Sequence, residues 1–229
     1  MKKNLLKTRL LMYFAGLFIM TAGIAISVKS NLGVSPVSSI PYTITCVWGI
    51  EMGRATILFH IVLVLLQILI LRRAFRVKNL LQILVGVVFG YFTTFCNWCV
   101  AFLPTPENLA IRLGMMLCST VLIAVGIFFY LPPDIMPLAG EGAMSAVSQV
   151  TGIAFSKVKI GFDVSMVTIS LITCLLCIHS LGSVGIGTII AAFLVGTILG
   201  LVTKKFGAWR NHILQIDPPA RAKQLENVQ

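Results

Sequence analysis

Leu10 to Val28 read LLMYFAGLFIMTAGIAISV, an uncharged apolar run that is long enough to cross a lipid bilayer as one helix. Hydrophobic residues make up 58% of the 229 positions and charged residues 11%, whereas an ordinary soluble domain has roughly 25% charged residues. Five more long apolar runs lie at Ala55 to Leu71, Leu80 to Leu103, Leu109 to Leu131, Ile160 to Ile178 and Val184 to Val202. The sequence therefore predicts an all-α membrane protein with about six transmembrane helices and no room for a sizeable soluble domain.

Two shorter apolar segments, residues 33-48 and 136-151, are interrupted by proline, glycine, serine and threonine. If six helices cross and the N-terminus is cytoplasmic, fifteen of the 18 lysine and arginine residues lie on the cytoplasmic side. Such a bias sets the orientation of membrane proteins, so it explains the net charge of +11 without nucleic acid as a partner. We therefore predict a re-entrant broken helix at each segment, with both termini on the cytoplasmic side of a bacterial inner membrane.

The chain carries an internal repeat at a displacement of 103 residues. The aligned pairs include Gly23 with Gly126, Asn31 with Asp134, Gly49 with Gly152, and His60 with Asp163. Each copy reads as a span, a broken segment and two spans, so residues 1-103 and 104-205 form two halves and residues 206-229 a cytoplasmic tail. Because three spans is an odd number, the second half enters from the opposite face, an inverted repeat of the kind found in secondary transporters. The N-terminus also resembles a signal peptide, but its removal would delete one member of the repeat, so we expect it to be retained.

Three features of the chain resemble a known group of proteins. They are the spacing of Gly16 and Gly23, the stretch SNLGVSP at residues 30-36, and the turn GSVGIGT at residues 182-188. Together they resemble the YczE/YyaS/YitT family of small bacterial membrane proteins. Because the C-terminal soluble domain of YitT-type members is missing, the chain is closer to the YczE-like branch. The resemblance implies a polytopic bacterial membrane protein, and it supplies neither a substrate nor catalytic residues.

Polar residues in the broken segments are candidates for substrate binding. Asn31 and Ser35 precede Pro36, a favourable first residue of a helix, so the free N–H groups of that helix start could bind an anion. Ser38 follows, and the repeat aligns it with Glu141, whose carboxylate could bind an amine, a cation or a proton. We select Asn31, Ser35, Ser38 and Glu141. The alternatives are a first segment that merely caps the bundle and a Glu141 that is a solvated loop residue.

Two ionisable residues at equivalent repeat positions are candidates for proton coupling. His60 and Asp163 both lie inside predicted spans, where such residues are costly and often functional. Alternatively, each could reach water at the membrane surface, or pair with Arg54 or Lys157. Gln67 is expected to form a hydrogen bond between helices.

Two Gly-x-x-x-Gly pairs, Gly86 with Gly90 and Gly196 with Gly200, predict close helix contacts. We interpret them as packing between the two halves. Contact between two copies of the chain, a homodimer through these glycine-rich helix faces, is the lesser alternative.

Six cysteines include two Cys-x-x-Cys pairs, Cys96 with Cys99 and Cys174 with Cys177, which could be redox-active. Cysteines three apart on a helix are more often small packing residues, and the pairs do not match through the repeat. Because the sequence also lacks a Ser-His-Asp, zinc or cofactor motif, we predict neither an enzyme nor a bound cofactor.

These patterns predict a secondary transporter of a small polar or anionic metabolite, with proton coupling as an option. The solute would bind between the tips of the two broken helices. The alternative is a non-transporting membrane accessory or regulatory protein that binds a partner protein.

Overall fold

The computed structural model describes residues 2–215, which form helices and turns without a strand. The α-helices in this part of the chain are α1 (Lys2–Ser30), α2 (Pro36–Trp48), α3 (Met52–Leu71), α4 (Leu81–Ala101), α5 (Leu109–Tyr130), α6 (Ala139–Thr151), α7 (Phe155–Ile178) and α8 (Ile186–Leu214). Two short 3₁₀ turns, Arg72–Ala74 and Val77–Leu80, connect α3 to α4.

Six helices are long and apolar enough to cross a membrane, which confirms the predicted number of spans. The other two, α2 and α6, have 13 residues each and occupy the predicted broken segments. The last helix, α8, continues to Leu214, past residue 206, where the predicted tail begins. The rest of that predicted tail, residues 216–229, lies outside the described residues.

The centre of the fold is the close contact of α1 with α5. Gly16 lies against Gly126 and Tyr130, whereas Gly23 lies against Ile123. As the residue numbers of the contacts increase along α1, those of their partners decrease along α5, so the two helices are antiparallel. Glycine at these positions lets the two backbones approach.

The remaining helix contacts fall into matching sets. Helix α1 packs on α4, and α5 packs on α8; α2 packs on α7, and α6 packs on α3. The exception is the last pair of each half, because α3 packs closely on α4 whereas α7 and α8 have no comparable contact. The two predicted halves therefore differ most clearly in the contact between their last two helices.

The prediction that both glycine pairs join the two halves is wrong. Gly86 and Gly90 pack on α3 of their own half, against His60 and Ile57. Gly196 and Gly200 have no neighbouring atom within 4 Å of the position that a Cβ would take. The reason is the missing contact of α7 with α8, which leaves that face of α8 uncovered.

Arginine side chains bind the C-terminal ends of three helices. Arg112 donates from Nε to the Ser30 carbonyl at the end of α1, at 2.8 Å. Arg9 donates to the Leu214 carbonyl at the end of α8, at 3.1 Å, and Arg210 to a carbonyl in the last turn of α5, at 3.2 Å. A cation is favourable at a helix C-terminus because of the helix dipole. This contact also explains why Arg112 is found outside the predicted cytoplasmic loops.

Candidate functional site

The break between α1 and α2 contains two left-handed backbone conformations. Asn31 has a φ of 52° and Gly33 a φ of 101°, a region that glycine and asparagine tolerate best. Ser35 then takes the N-cap position and Pro36 the first helical position, as the sequence predicts. The Ser35 hydroxyl donates to Ser38 Oγ at 3.0 Å and makes no bond to a backbone N–H of the helix. The first turn of α2 therefore has no side-chain cap.

The break before α6 repeats the first of these two left-handed conformations. Asp134 has a φ of 51° and lies 103 residues after Asn31. The N-cap residue is Leu138, which has no side-chain acceptor, so no side chain at that position caps the helix start. Glu141, in the first turn, instead accepts the Leu138 N–H at 2.9 Å.

The starts of the two short helices meet. A Cβ at Gly140 of α6 would lie 3.7 Å from Cγ1 of Val37 of α2, which is ordinary van der Waals contact. Ala139 and Ala143 of α6 share a buried apolar cluster with Leu63 of α3, and Val37 packs against that cluster. The uncapped start of α2 and the start of α6, where Glu141 accepts the Leu138 N–H, thus lie against each other inside the helix bundle, at a place we call the α2–α6 junction.

Glu141 is held by hydrogen bonds and is not a solvated loop residue. The Tyr130 hydroxyl donates to Glu141 Oε2, which also accepts the Leu138 N–H. Tyr130 is only 1% exposed, and neighbouring Tyr13 donates to the Met136 carbonyl at 2.7 Å. The carboxylate therefore has a defined position, with one oxygen engaged by the protein. Its other oxygen makes no hydrogen bond within the described residues.

Asp163 forms an ion pair with a lysine of its own helix. Lys159 Nζ is 2.7 Å from Asp163 Oδ2, one helical turn away on α7, and Lys159 also interacts electrostatically with Glu141. The other Asp163 oxygen is buried without a hydrogen-bond partner. Lys159 thus interacts electrostatically with two predicted site residues, and the ion-pair partner of Asp163 is Lys159 and not the expected Lys157.

His60 makes its contacts within α3 and with α4. Its Nδ1 donates to the Thr56 carbonyl at 2.8 Å, and its ring packs against Phe89 and Gly86 of α4. No hydrogen bond or ion pair joins His60 to Asp163 in the part of the chain that the structure describes. The two equivalent residues therefore occupy different environments, one buried between helices and one in an ion pair.

Asn31 also lies apart from the α2–α6 junction. It is exposed at the end of α1, and its carbonyl accepts a hydrogen bond from Arg112. Of the predicted binding residues, Ser35, Ser38 and Glu141 lie at the two helix starts.

A buried amide pair beside the junction extends the candidate site. Gln67 Nε2 donates to Gln82 Oε1 at 2.8 Å and lies 3.2 Å from the Ala139 carbonyl, while Gln67 Oε1 is buried without a partner. Because Gln67 lies on α3 and Gln82 on α4, this hydrogen bond confirms the predicted interhelical role of Gln67. Gln82 was not among the residues selected from the sequence. The available signal was a polar amide side chain within an otherwise apolar run.

Two pairs of hydroxyl groups join α2 to α7 and to the loop that precedes α8. Ser39 Oγ accepts a hydrogen bond from Ser170 at 2.9 Å, and the hydroxyls of Thr43 and Ser183 lie 2.6 Å apart. Both pairs are buried. The spacing of four residues between Ser39 and Thr43 was the available sequence signal, because it places both hydroxyls on one helix face.

The cysteines are free thiols, and each pair is divided between two environments. Cys96 and Cys174 are buried, whereas Cys99 and Cys177 are exposed. Cys174 lies near the hydroxyls of Thr43 and Ser183, so it packs as part of the α2–α7 contact.

Comparisons with known proteins agree with this architecture. The chain is 27% identical over 199 residues, 86% of each sequence, to the uncharacterized membrane protein YczE of Bacillus subtilis (strain 168). No solved structure matches the chain. A profile of DUF6198, a family of unknown function, matches residues 7–204. The expected YczE-like relationship is thereby confirmed: the chain is an integral membrane protein and belongs to the DUF6198 family.

Proposed function

We propose that this membrane protein is a secondary transporter of a small polar or anionic metabolite. The solute would bind at the α2–α6 junction, and the two halves would expose it alternately to the two sides of the membrane. The uncapped start of α2 favours a negative group, and Glu141 at the start of α6 favours an amine, a cation or a proton.

The repeated backbone geometry supports two related halves. Helices α2 and α6 begin and end 103 residues apart, as do the starts of α3 and α7. Gly49 and Gly152, which follow the two short helices, have φ angles of 68° and 71°. The antiparallel contact of α1 with α5 supports the inverted relation, because these two helices are equivalent in the repeat.

The observation that carries the proposal is that α3 packs closely on α4, whereas the equivalent helices α7 and α8 have no comparable contact. By contrast, each contact between a short helix and a long helix has a counterpart in the other half: α2–α7 matches α6–α3, and α2–α3 matches α6–α7. Only 11% of the most apolar window of α7 is buried, against 44% for α3. When two inverted halves adopt different conformations, an exchange of those conformations moves the opening from one side to the other. The other state would then have α7 packed on α8 and α3 separated from α4.

This exchange assigns roles to the two equivalent ionisable residues. In the present state His60 is packed on Gly86. The repeat aligns His60 with Asp163 and Gly86 with Gly196. Exchange would bury Asp163 against α8 and release His60. A change in the environment of each group during the cycle is what proton coupling requires.

A cross-linking experiment tests the exchange. The contact of Ile57 with Gly90 in the first half corresponds to Ile160 and Gly200 in the second, and both of these are exposed. We expect the variant Ile160→Cys with Gly200→Cys to form a disulfide within one chain, in a background whose exposed native cysteines, Cys99, Cys118 and Cys177, are replaced by serine. Non-reducing gels and peptide mass spectrometry distinguish this product.

The matched control moves one cysteine to Leu201, which is also exposed but points about 100° around α8. We expect the pair Ile160→Cys with Leu201→Cys to cross-link at least tenfold more slowly. Equal rates for both pairs, or the absence of an intrachain product, would contradict the proposed exchange.

The uncovered face of α8 favours a second candidate, an accessory protein that binds a partner or a second copy of itself. Gly196 and Gly200 allow close approach of another helix, and none of the described helices covers them. In that case Ile160→Cys with Gly200→Cys would yield only cross-links between chains.

A further inference from the structure

The connection between α3 and α4 concentrates positive charge. Arg72, Arg73, Arg76 and Lys78 lie within or beside the two 3₁₀ turns, and all four are exposed. None of them has a carboxylate partner in the part of the chain that the structure describes. A cluster of four cations beside two membrane-spanning helices attracts anions in the adjoining membrane surface.

An open pocket of about 650 Å³ lies between this connection and α6. Its polar lining comes from Arg73, Arg76, Asn79 and Gln149, and Leu71 and Phe75 contribute its apolar part. Guanidinium and amide N–H groups are hydrogen-bond donors, and no acidic residue lines the pocket. Two guanidinium groups beside amide donors match the oxygens of a phosphate group.

Apolar residues beside the cations point to a lipid as the source of that phosphate. Val77 is 78% exposed, and Leu80 and Leu81 are also exposed at the same end of the helices. Exposed apolar side chains next to cations fit the boundary between lipid head groups and acyl chains.

We propose that this pocket binds the phosphate group of an anionic phospholipid. The lipid would contact Arg73 and Arg76 of the α3–α4 connection and Gln149 of α6. It would therefore link α6 to the connection between the packed helices α3 and α4. This site is separate from the α2–α6 junction and does not depend on the transport proposal.

Thermal melting in mixed micelles tests the site. Phosphatidylglycerol should raise the melting temperature of the purified protein in a concentration-dependent way, because a ligand of the folded state stabilises it by mass action. Phosphatidylcholine should have little effect. In the variant Arg73→Gln with Arg76→Gln, the apparent Kd for phosphatidylglycerol should rise roughly 30-fold, about fivefold for each lost cation.

Two controls separate the pocket from net charge and from folding defects. Lys204→Gln with Lys205→Gln removes the same charge from exposed positions of α8 and should change the apparent Kd less than threefold. Arg73→Lys with Arg76→Lys keeps the charge and should bind with intermediate affinity. Equal loss in the Arg73 and Lys204 variants would overturn the proposal. The same stabilisation by inorganic phosphate alone would also overturn the lipid assignment.

Discussion

Replacing Gly16 with alanine should lower the melting temperature of the detergent-purified protein by roughly 6–12 °C. A Cβ at this position would lie 2.4 Å from the Tyr130 backbone nitrogen and 2.7 Å from the Gly126 carbonyl oxygen. These are backbone atoms of α5, so they can move only if α1 and α5 separate. Overpacking of this kind costs about 3 kcal/mol or more.

The matched control is Gly114→Ala, the same substitution in a spanning helix. No atom lies within 4 Å of a Cβ at Gly114, so its melting temperature should stay within about 2 °C of the wild type. A Gly16 variant that melts like the Gly114 variant would contradict the close contact of α1 with α5.

Replacing Glu141 with glutamine should preserve the fold and weaken metabolite binding at least tenfold. The amide oxygen of glutamine can accept the same hydrogen bonds from Tyr130 and Leu138, so the melting temperature should change by less than about 3 °C. The charge is lost, and an ionic contact to a bound amine, cation or proton is lost with it. We expect at least tenfold weaker stabilisation by any metabolite that stabilises the wild type.

The measurement is thermal melting with a panel of amino acids, small amines and carboxylates at millimolar concentration. Glu51→Gln is the matched control, because Glu51 also lies at a helix start and accepts the backbone N–H groups of Gly53 and Arg54. Loss of the response in both variants would exclude a specific role for Glu141. A wild-type protein that no member of the panel stabilises would contradict the transport proposal.

The bounds of the two short helices follow from local signals. The predicted segments end at residues 48 and 151, where α2 and α6 end. Each end is followed by a glycine in the left-handed conformation, Gly49 or Gly152, which terminates a helix at low cost. Such signals lie within a few residues of the feature that they define, so a single sequence is enough to find them.

The candidate site was predictable only in part. Ser35, Ser38 and Glu141 mark the two helix starts, because capping and first-turn residues are local. Tyr130 and Lys159, which act on Glu141, come from α5 and α7, and their separation along the chain carries no signal of contact. The predicted repeat aligns His60 with Asp163, yet their surroundings differ, because α3 packs closely on α4 whereas α7 has no comparable contact with α8.

Hydropathy and the breaks in the helices belong to short stretches of chain, so reading the residues is sufficient to establish six spans and two short helices. The environment of the glycine pairs depends on which helix lies opposite. Gly86 and Gly90 meet α3, whereas Gly196 and Gly200, with the same spacing, meet no described neighbour. A small residue allows close approach but does not select the helix that approaches, so packing across the whole bundle decides that contact.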